Sequence, residues 1–175
     1  MVGSAALVEA WRQAFNKYGI NVGQILVTHN DIEDRVEGGR LKKVINSAIK
    51  HGIVPIINEN DVLSDIELAR LSYGGDNDGL ASKIAVAVDA TELMLLTNVD
   101  GLLDKKGKTV SVIDSCNIKK ALMLTSGKSS AGRGGMQSKI EAAVQANWAG
   151  VKTHIGNPSA DYKSILSGKS GTSVR

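Results

Sequence analysis

Ile53-Val54-Pro55-Ile56-Ile57-Asn58-Glu59-Asn60-Asp61 is a near-continuous apolar run closed at once by four amides and acids. Five residues of this kind, mostly β-branched, read as a buried strand over 53–57. Pro55 offers no N–H, which confines it to a strand start, a bulge or an edge. Upstream, Leu41, Val44, Ile45, Ala48 and Ile49 recur at helical spacing, with Lys42, Lys43 and Lys50 on the other faces. Gly52 stands where such a helix would turn out of its last residue. A helix thus feeds a buried strand, and the strand ends in a cluster of short polar groups that makes poor core material.

The alternation continues in both directions. Residues 5–18 predict a helix with Leu7, Val8, Trp11 and Phe15 on its apolar stripe, stopped by Gly19. Residues 25–28 predict a strand. Residues 80–88 predict an Ala/Val-rich helix, and 93–96 a continuous apolar strand ending at Thr97-Asn98. Asp100-Gly101 marks a turn that opens a polar loop to Thr109. Helices follow over 118–124 and 136–148, the second with Ile140, Ala143, Val144 and Trp148 on one stripe and Gly150 behind it. Residues 151–155 predict a last strand. No internal repeat or linker divides the chain, so a single domain over 1–175 is expected. The pattern predicts an α/β fold, layered helices around a mainly parallel sheet.

Composition agrees. The chain has 175 residues, 42% of them hydrophobic and 22% charged, but only 3% aromatic. A core made of Val, Ile, Leu and Ala suits parallel strands faced by helices. A net charge of +3 spread along the chain, without interleaved aromatics, argues against a nucleic-acid partner. No apolar run reaches membrane-spanning length. Cys116 is the sole cysteine, so no intrachain disulfide forms, and a reduced, cytoplasmic setting is expected.

In open α/β sheets, ligands bind beyond the carboxyl ends of strands. Two polar groups stand at such ends, residues 58–61 and Thr97-Asn98. A third, Gly74-Gly75-Asp76-Asn77-Asp78, opens a helix. Helix-cap chemistry accounts for acids at a helix start, but not for a second cluster at a strand end. The segment 126–139 is rich in Gly, Ser, Lys and Arg and leads into a helix whose free N–H groups suit phosphate. It matches neither the Walker A spacing nor the dinucleotide fingerprint. His29, His51 and His154 lack metal-ligand spacing and read as structural or surface residues. Cys116 reads as an inert thiol.

Four words in order carry a resemblance: Val54-Pro55-Ile56-Ile57-Asn58-Glu59-Asn60-Asp61, Gly75-Asp76-Asn77-Asp78, Leu95-Leu96-Thr97-Asn98-Val99-Asp100-Gly101-Leu102 and Gly132-Arg133-Gly134-Gly135-Met136-Gln137-Ser138-Lys139. Together with 23–28, 31–35 and the closing Gly171-Thr172, they resemble the glutamate 5-kinases of the amino acid kinase family. The kinase half of pyrroline-5-carboxylate synthase is also similar. The resemblance implies a three-layer αβα sandwich with an open, mainly parallel sheet. It implies transfer of the ATP γ-phosphoryl group to the side-chain carboxylate of L-glutamate, the first step of proline biosynthesis. A cytoplasmic homo-oligomer is expected. Asp61 and Asn77 would hold glutamate, with Asp76 and Asn58 nearby. Asp78 would organise the lysines and the Mg-ATP phosphates. Thr97 and Asn98 would line the nucleotide pocket, while Arg133, Gly134, Gly135, Met136, Gln137 and Ser138 cover ATP. Lys139 would stabilise charge on the transferring group. Mg²⁺ would be held through phosphates and water, with no dedicated protein ligands.

Asn98 stands where the family often has aspartate, and Arg133 where it has a small hydroxyl residue. The family also opens with a lysine-bearing strand and two glycine-rich loops that do not precede Met1 here. An N-terminally incomplete kinase domain is therefore expected, lacking a second lysine and half of the phosphate cradle, with little or no activity and a tendency to associate. No RNA-modification-type domain is expected after it. The alternatives are a non-catalytic nucleotide- or glutamate-binding module, and a sibling kinase acting on another carboxylate.

Overall fold

The structure, a computed structural model, describes residues 2–60, 77–125 and 135–175, with side chains from residue 5 onward. Contacts gather the chain into two compact units, Met1–Ala69 and Arg70–Arg175.

The first unit contains α1 (Val2–Asn16), β1 (Asn21–Val27), α2 (His29–Glu33), α3 (Arg35–Lys50) and β2 (Ile53–Glu59). β1 and β2 pair in parallel, in register from Asn21 opposite Ile53 to Val27 opposite Glu59. Both strands are longer than the apolar runs predicted. Gly23 and Gln24 mask the start of β1 in the sequence, and pairing carries β2 two residues into the polar cluster. α1 and α3 form where their stripes predict helices, but only Leu41 and Ile45 of those stripes are buried, while Leu7, Trp11, Val44 and Ile49 are exposed. Gly52, at φ +73, takes the left-handed turn that lets the chain leave α3 for β2. α2 was not legible as a helix because it has only five residues. Its limits are local: Thr28 and Asp31 form a capping box at its start, and Asp34 ends it while its side chain caps α3. Asp34 accepts from the N–H groups of Val36 and Glu37 at 2.8 and 2.9 Å. Those bonds hold its carboxyl below the usual carboxylate range.

The second unit contains α4 (Asn77–Ala87), β3 (Glu92–Leu96), β4 (Val112–Ile113), α5 (Ile118–Thr125), α6 (Met136–Trp148), β5 (Lys152–Gly156), α7 (Tyr162–Leu166) and β6 (Thr172–Val174). Its sheet runs β3-β5-β6-β4. β3 and β5 are parallel, β4 and β6 are parallel, and β5 meets β6 antiparallel. Among the described strands only β5–β6 pair antiparallel, besides an isolated antiparallel bridge between Leu103 and Thr109, so the mainly parallel α/β expectation holds. β4, β6 and α7 were not read from the sequence, since two, three and five residues are too few to display a period.

One core cluster joins Leu95, Ile113, Ile140, Ala143 and Ile155. Ile155 faces α6 in this cluster. Gly156, next along the strand and so on the opposite face, lies against Ile165 of α7, where a Cβ would come within 2.8 Å of that side chain. Helices therefore cover both faces of β5, which is the αβα layering expected. One element of the predicted stripe fails: Trp148 is 81% exposed. It belongs to the last turn of α6, where the buried position is Ala146.

Thr172 is a hub that composition does not reveal. Its Oγ1 accepts from the N–H of Leu102 at 2.9 Å and donates to the carbonyl of Val110 at 2.7 Å. It thereby ties both ends of the 102–110 loop to β6. Gly101 sits over it at φ +124, where a Cβ would meet Thr172 Oγ1 at 2.6 Å.

Candidate functional site

α4 packs against β3 and leads into it, so the two run in opposite senses and the N-terminus of α4 lies at the carboxyl end of β3. α6 bears the same relation to β5. β3 and β5 are parallel neighbours, and α4 packs on α6. Two strand ends and two helix starts thus share one edge of the second unit, the edge at which ligands bind in sheets of this kind.

The side chains at that edge are Asn77 and Asp78 from α4, Thr97 and Asn98 after β3, and Gly135 to Lys139 at the start of α6. Lys139 Nζ lies 2.8 Å from Asp78 Oδ1 and 3.1 Å from Oδ2. Ser138 Oγ reaches Asp78 Oδ2 at 2.8 Å and the Gly135 carbonyl at 2.9 Å. The two charged side chains are only 14% and 13% exposed. In so dry a position an ion pair is screened little, and Asp78 also gains from the N-terminal turn of α4. The sequence named each of these residues. It did not show that the serine and the lysine converge on one carboxylate 60 and 61 residues earlier.

Gly135 is the N-cap of α6 and offers no side-chain cap. Among the described residues the N-cap supplies no side-chain acceptor for the first-turn N–H groups, which lie beside a lysine, a chemistry suited to phosphate. The other predicted residues have varied settings. Thr97 is half-buried, its N–H bonded to the Gly156 carbonyl at 3.0 Å. Asn98 and Asn77 are exposed. Met136 packs against the core cluster, and Gln137 donates to Glu141 at 2.9 Å. Asn58 is half-buried in β2 of the first unit. Asp61, Asp76, Arg133 and Gly134 lie outside the described residues.

A second feature of this unit was missed. A cavity of about 890 Å³ is lined by Lys105, Lys106 and Lys120 together with Val110, Ala121 and Leu124. The lysines had read only as polar loop and helix surface. Folding the 102–110 loop onto β6 brings Lys105 and Lys106 beside Lys120 of α5. Among the histidines, His51 caps the end of α3, with Nδ1 2.8 Å from the Ser47 carbonyl. His154 is buried in β5, with Nδ1 3.1 Å from Ser173 Oγ. Burial pushes its imidazole below the usual histidine range, since the charged form loses water. Cys116 is exposed. Among the described residues no three His, Cys, Asp or Glu side chains gather to hold a metal, and no helix is long and apolar enough to cross a membrane.

The family model of the amino acid kinase family matches residues 1–157. The chain belongs to the amino acid kinase family. Among curated relatives, it is 39% identical to the glutamate 5-kinase of Shewanella pealeana, over 94% of this chain and 44% of that protein. It is 38% identical to the glutamate 5-kinase of Thermotoga maritima, over 96% of this chain and 46% of that protein. The chain spans less than half the length of these relatives. Among solved structures, N-acetylglutamate synthase from Neisseria gonorrhoeae, complexed with coenzyme A and L-arginine, superposes with a TM-score of 0.54 at 22% identity, covering 75% of this chain and 30% of that one. Carbamate kinase from Giardia lamblia bound to AMP-PNP superposes with a TM-score of 0.50 at 23% identity, covering 76% and 43%. At those identities the likeness carries the fold alone. It agrees with the αβα architecture of the amino acid kinases.

Proposed function

We propose that the chain supplies ATP- and substrate-binding parts of a glutamate 5-kinase. In that reaction a side-chain carboxylate oxygen of L-glutamate attacks the γ-phosphorus of ATP. The bond between that phosphorus and the ADP oxygen breaks, and glutamyl 5-phosphate and ADP form. The observation that carries this reading is the Asp78 carboxylate shared by Lys139 and Ser138 between the starts of α4 and α6. Phosphoryl transfer asks for positioned charge more than for covalent chemistry, and this cluster supplies it. Lys139 would neutralise charge on the transferring group, held in place by Asp78. The first-turn N–H groups of α6 would receive phosphate oxygens. The lysine-lined cavity with its apolar wall suits a ligand with a flat apolar body and an anionic end, as a nucleotide has.

Asn58, Asp61, Asp76 and Asn77 would hold the amino acid, and Thr97, Asn98 and the segment 133–138 the nucleotide. Mg²⁺ would supply further neutralisation of the phosphates, held through them and through water. Both Asp78 oxygens are already engaged by Ser138 and Lys139, which fits an ion carried by the nucleotide. Free ATP and glutamate as substrates suit a cytoplasmic enzyme.

Calorimetry with Mg-ATP and L-glutamate tests the reading. The chain is expected to bind Mg-ATP, and Lys139→Met and Asp78→Asn each to weaken that binding about tenfold or more, the usual size of a lost charge-assisted contact. Unchanged affinity in both variants, or no binding of either ligand by the parent chain, overturns it.

A further inference from the structure

We propose that His29 and Glu59 form a positioning pair that sets the carboxyl end of β2, and Asn58 with it, for the amino-acid substrate. The proposal rests on the functional reading above, and it gives work to two residues which that reading leaves idle.

Glu59 is the last residue of β2 and lies opposite Val27, the last residue of β1. The chain leaves β1 through Thr28 into α2, which brings His29 to the same edge. Glu59 is only 6% exposed, and its Oε1 accepts no hydrogen bond from any described residue. His29 Nε2 stands 3.6 Å from that oxygen, with its side chain 15% exposed. The separation is within ion-pair range and beyond a hydrogen bond. Removing a carboxylate from water is costly unless a partner compensates, and an apolar pair of similar volume generally serves stability as well or better. A buried acid-imidazole pair at a strand end is thus better explained by placement than by stability.

The surroundings make the placement specific. Asn58 and Glu59 point to opposite sides of the strand, so Glu59 is off Asn58's surface and acts on it through the shared backbone. The Asn60 N–H donates to the Val27 carbonyl at 2.8 Å, fastening the same two strand ends. On the other side, Thr28 and Asp31 bond reciprocally, with the Thr28 N–H 2.7 Å from Asp31 Oδ2. That box fixes the first turn of α2 and hence the backbone that carries His29. One end of the pair is anchored by a capped turn and the other by the strand whose next residues are the polar cluster.

Glu59→Gln and His29→Asn test the pair, with thermal melts to show that each variant folds. Calorimetry is expected to find L-glutamate binding weakened by about tenfold in both, with Mg-ATP binding changed by less than about twofold. NMR is expected to find the His29 titration moved to lower pH in Glu59→Gln, since an anionic neighbour favours the imidazolium, and the Asn58 amide signal displaced in both variants. Equal losses for the two ligands would show general loosening and overturn the proposal. So would a His29 titration or an Asn58 signal that ignores the substitutions. If the parent chain binds no glutamate, the kinase reading fails by itself, and the pair then stands or falls on the two NMR signals. Should Glu59→Gln fail to fold, His29→Asn carries the binding split and the Asn58 signal.

Discussion

α6 and α1 announce themselves in the sequence by the same device, an apolar stripe at helical spacing, yet they end in different surroundings. On α6 the residues Ile140, Ala143 and Ala146 are wholly buried, because β3, β5, α4 and α5 close around them. On α1 Leu7 and Trp11 are 42% and 44% exposed, and Trp11 keeps a ring neighbour within its own helix, Phe15, at 6.0 Å between centroids. A stripe states which face a helix offers. The elements across from it decide whether that face is buried and how much the burial stabilises.

The contrast can be broken by truncating one side chain on each helix. Ile140→Ala should lower the stability of the second unit by roughly 2–5 kcal/mol, since it removes buried methylenes and leaves a cavity. Trp11→Ala should lower stability by less, because nearly half of the ring already meets water. Urea unfolding followed by circular dichroism measures both. A Trp11→Ala loss as large as that of Ile140→Ala would show that the α1 stripe is as much core as the α6 stripe.

A second comparison sharpens the first by setting polar burial beside apolar burial. Thr172→Val keeps the shape but leaves the Leu102 N–H and the Val110 carbonyl without their hydroxyl partner. A loss of about 1–3 kcal/mol is expected, the range for buried groups left unsatisfied. Faster amide exchange at Leu102 should accompany it, and unchanged exchange there would show that the loop is held by other contacts.

The smallest effect concerns His154. Its imidazole is held below the ordinary value of 6.5 by burial, so the unfolded chain binds the proton more readily than the folded one. The contribution of this residue is fully present above about pH 6.5 and declines as pH falls from there toward the folded value. Stability measured between pH 7.5 and 5 should therefore fall less steeply in His154→Gln than in the parent. Identical slopes would remove His154 as a cause.

Much of the fold was legible because it is local. Gly19, Gly52 and Gly150 end helices through their own conformational freedom, all three at positive φ, and the long helices and apolar strands repeat at periods visible in a short window. The boundaries that failed did so where pairing outweighs composition: Asn21 to Gln24 join β1, and Asn58 and Glu59 extend β2, only because a partner strand satisfies their backbone. Trp148 continues the α6 stripe by period alone, and none of the described elements covers it.

The sequence by itself determined the αβ alternation, the helix stops and the four words that mark an amino acid kinase, since each depends on residues close together in the chain. Tertiary structure alone decided that Lys139 and Ser138 meet on Asp78, that Glu59 faces His29, and that Thr172 closes the 102–110 loop. Such contacts join residues tens of positions apart, and their side chains carry no local period. Only the packing of helices and strands fixes which charge is near which, and how dry the place is where they meet.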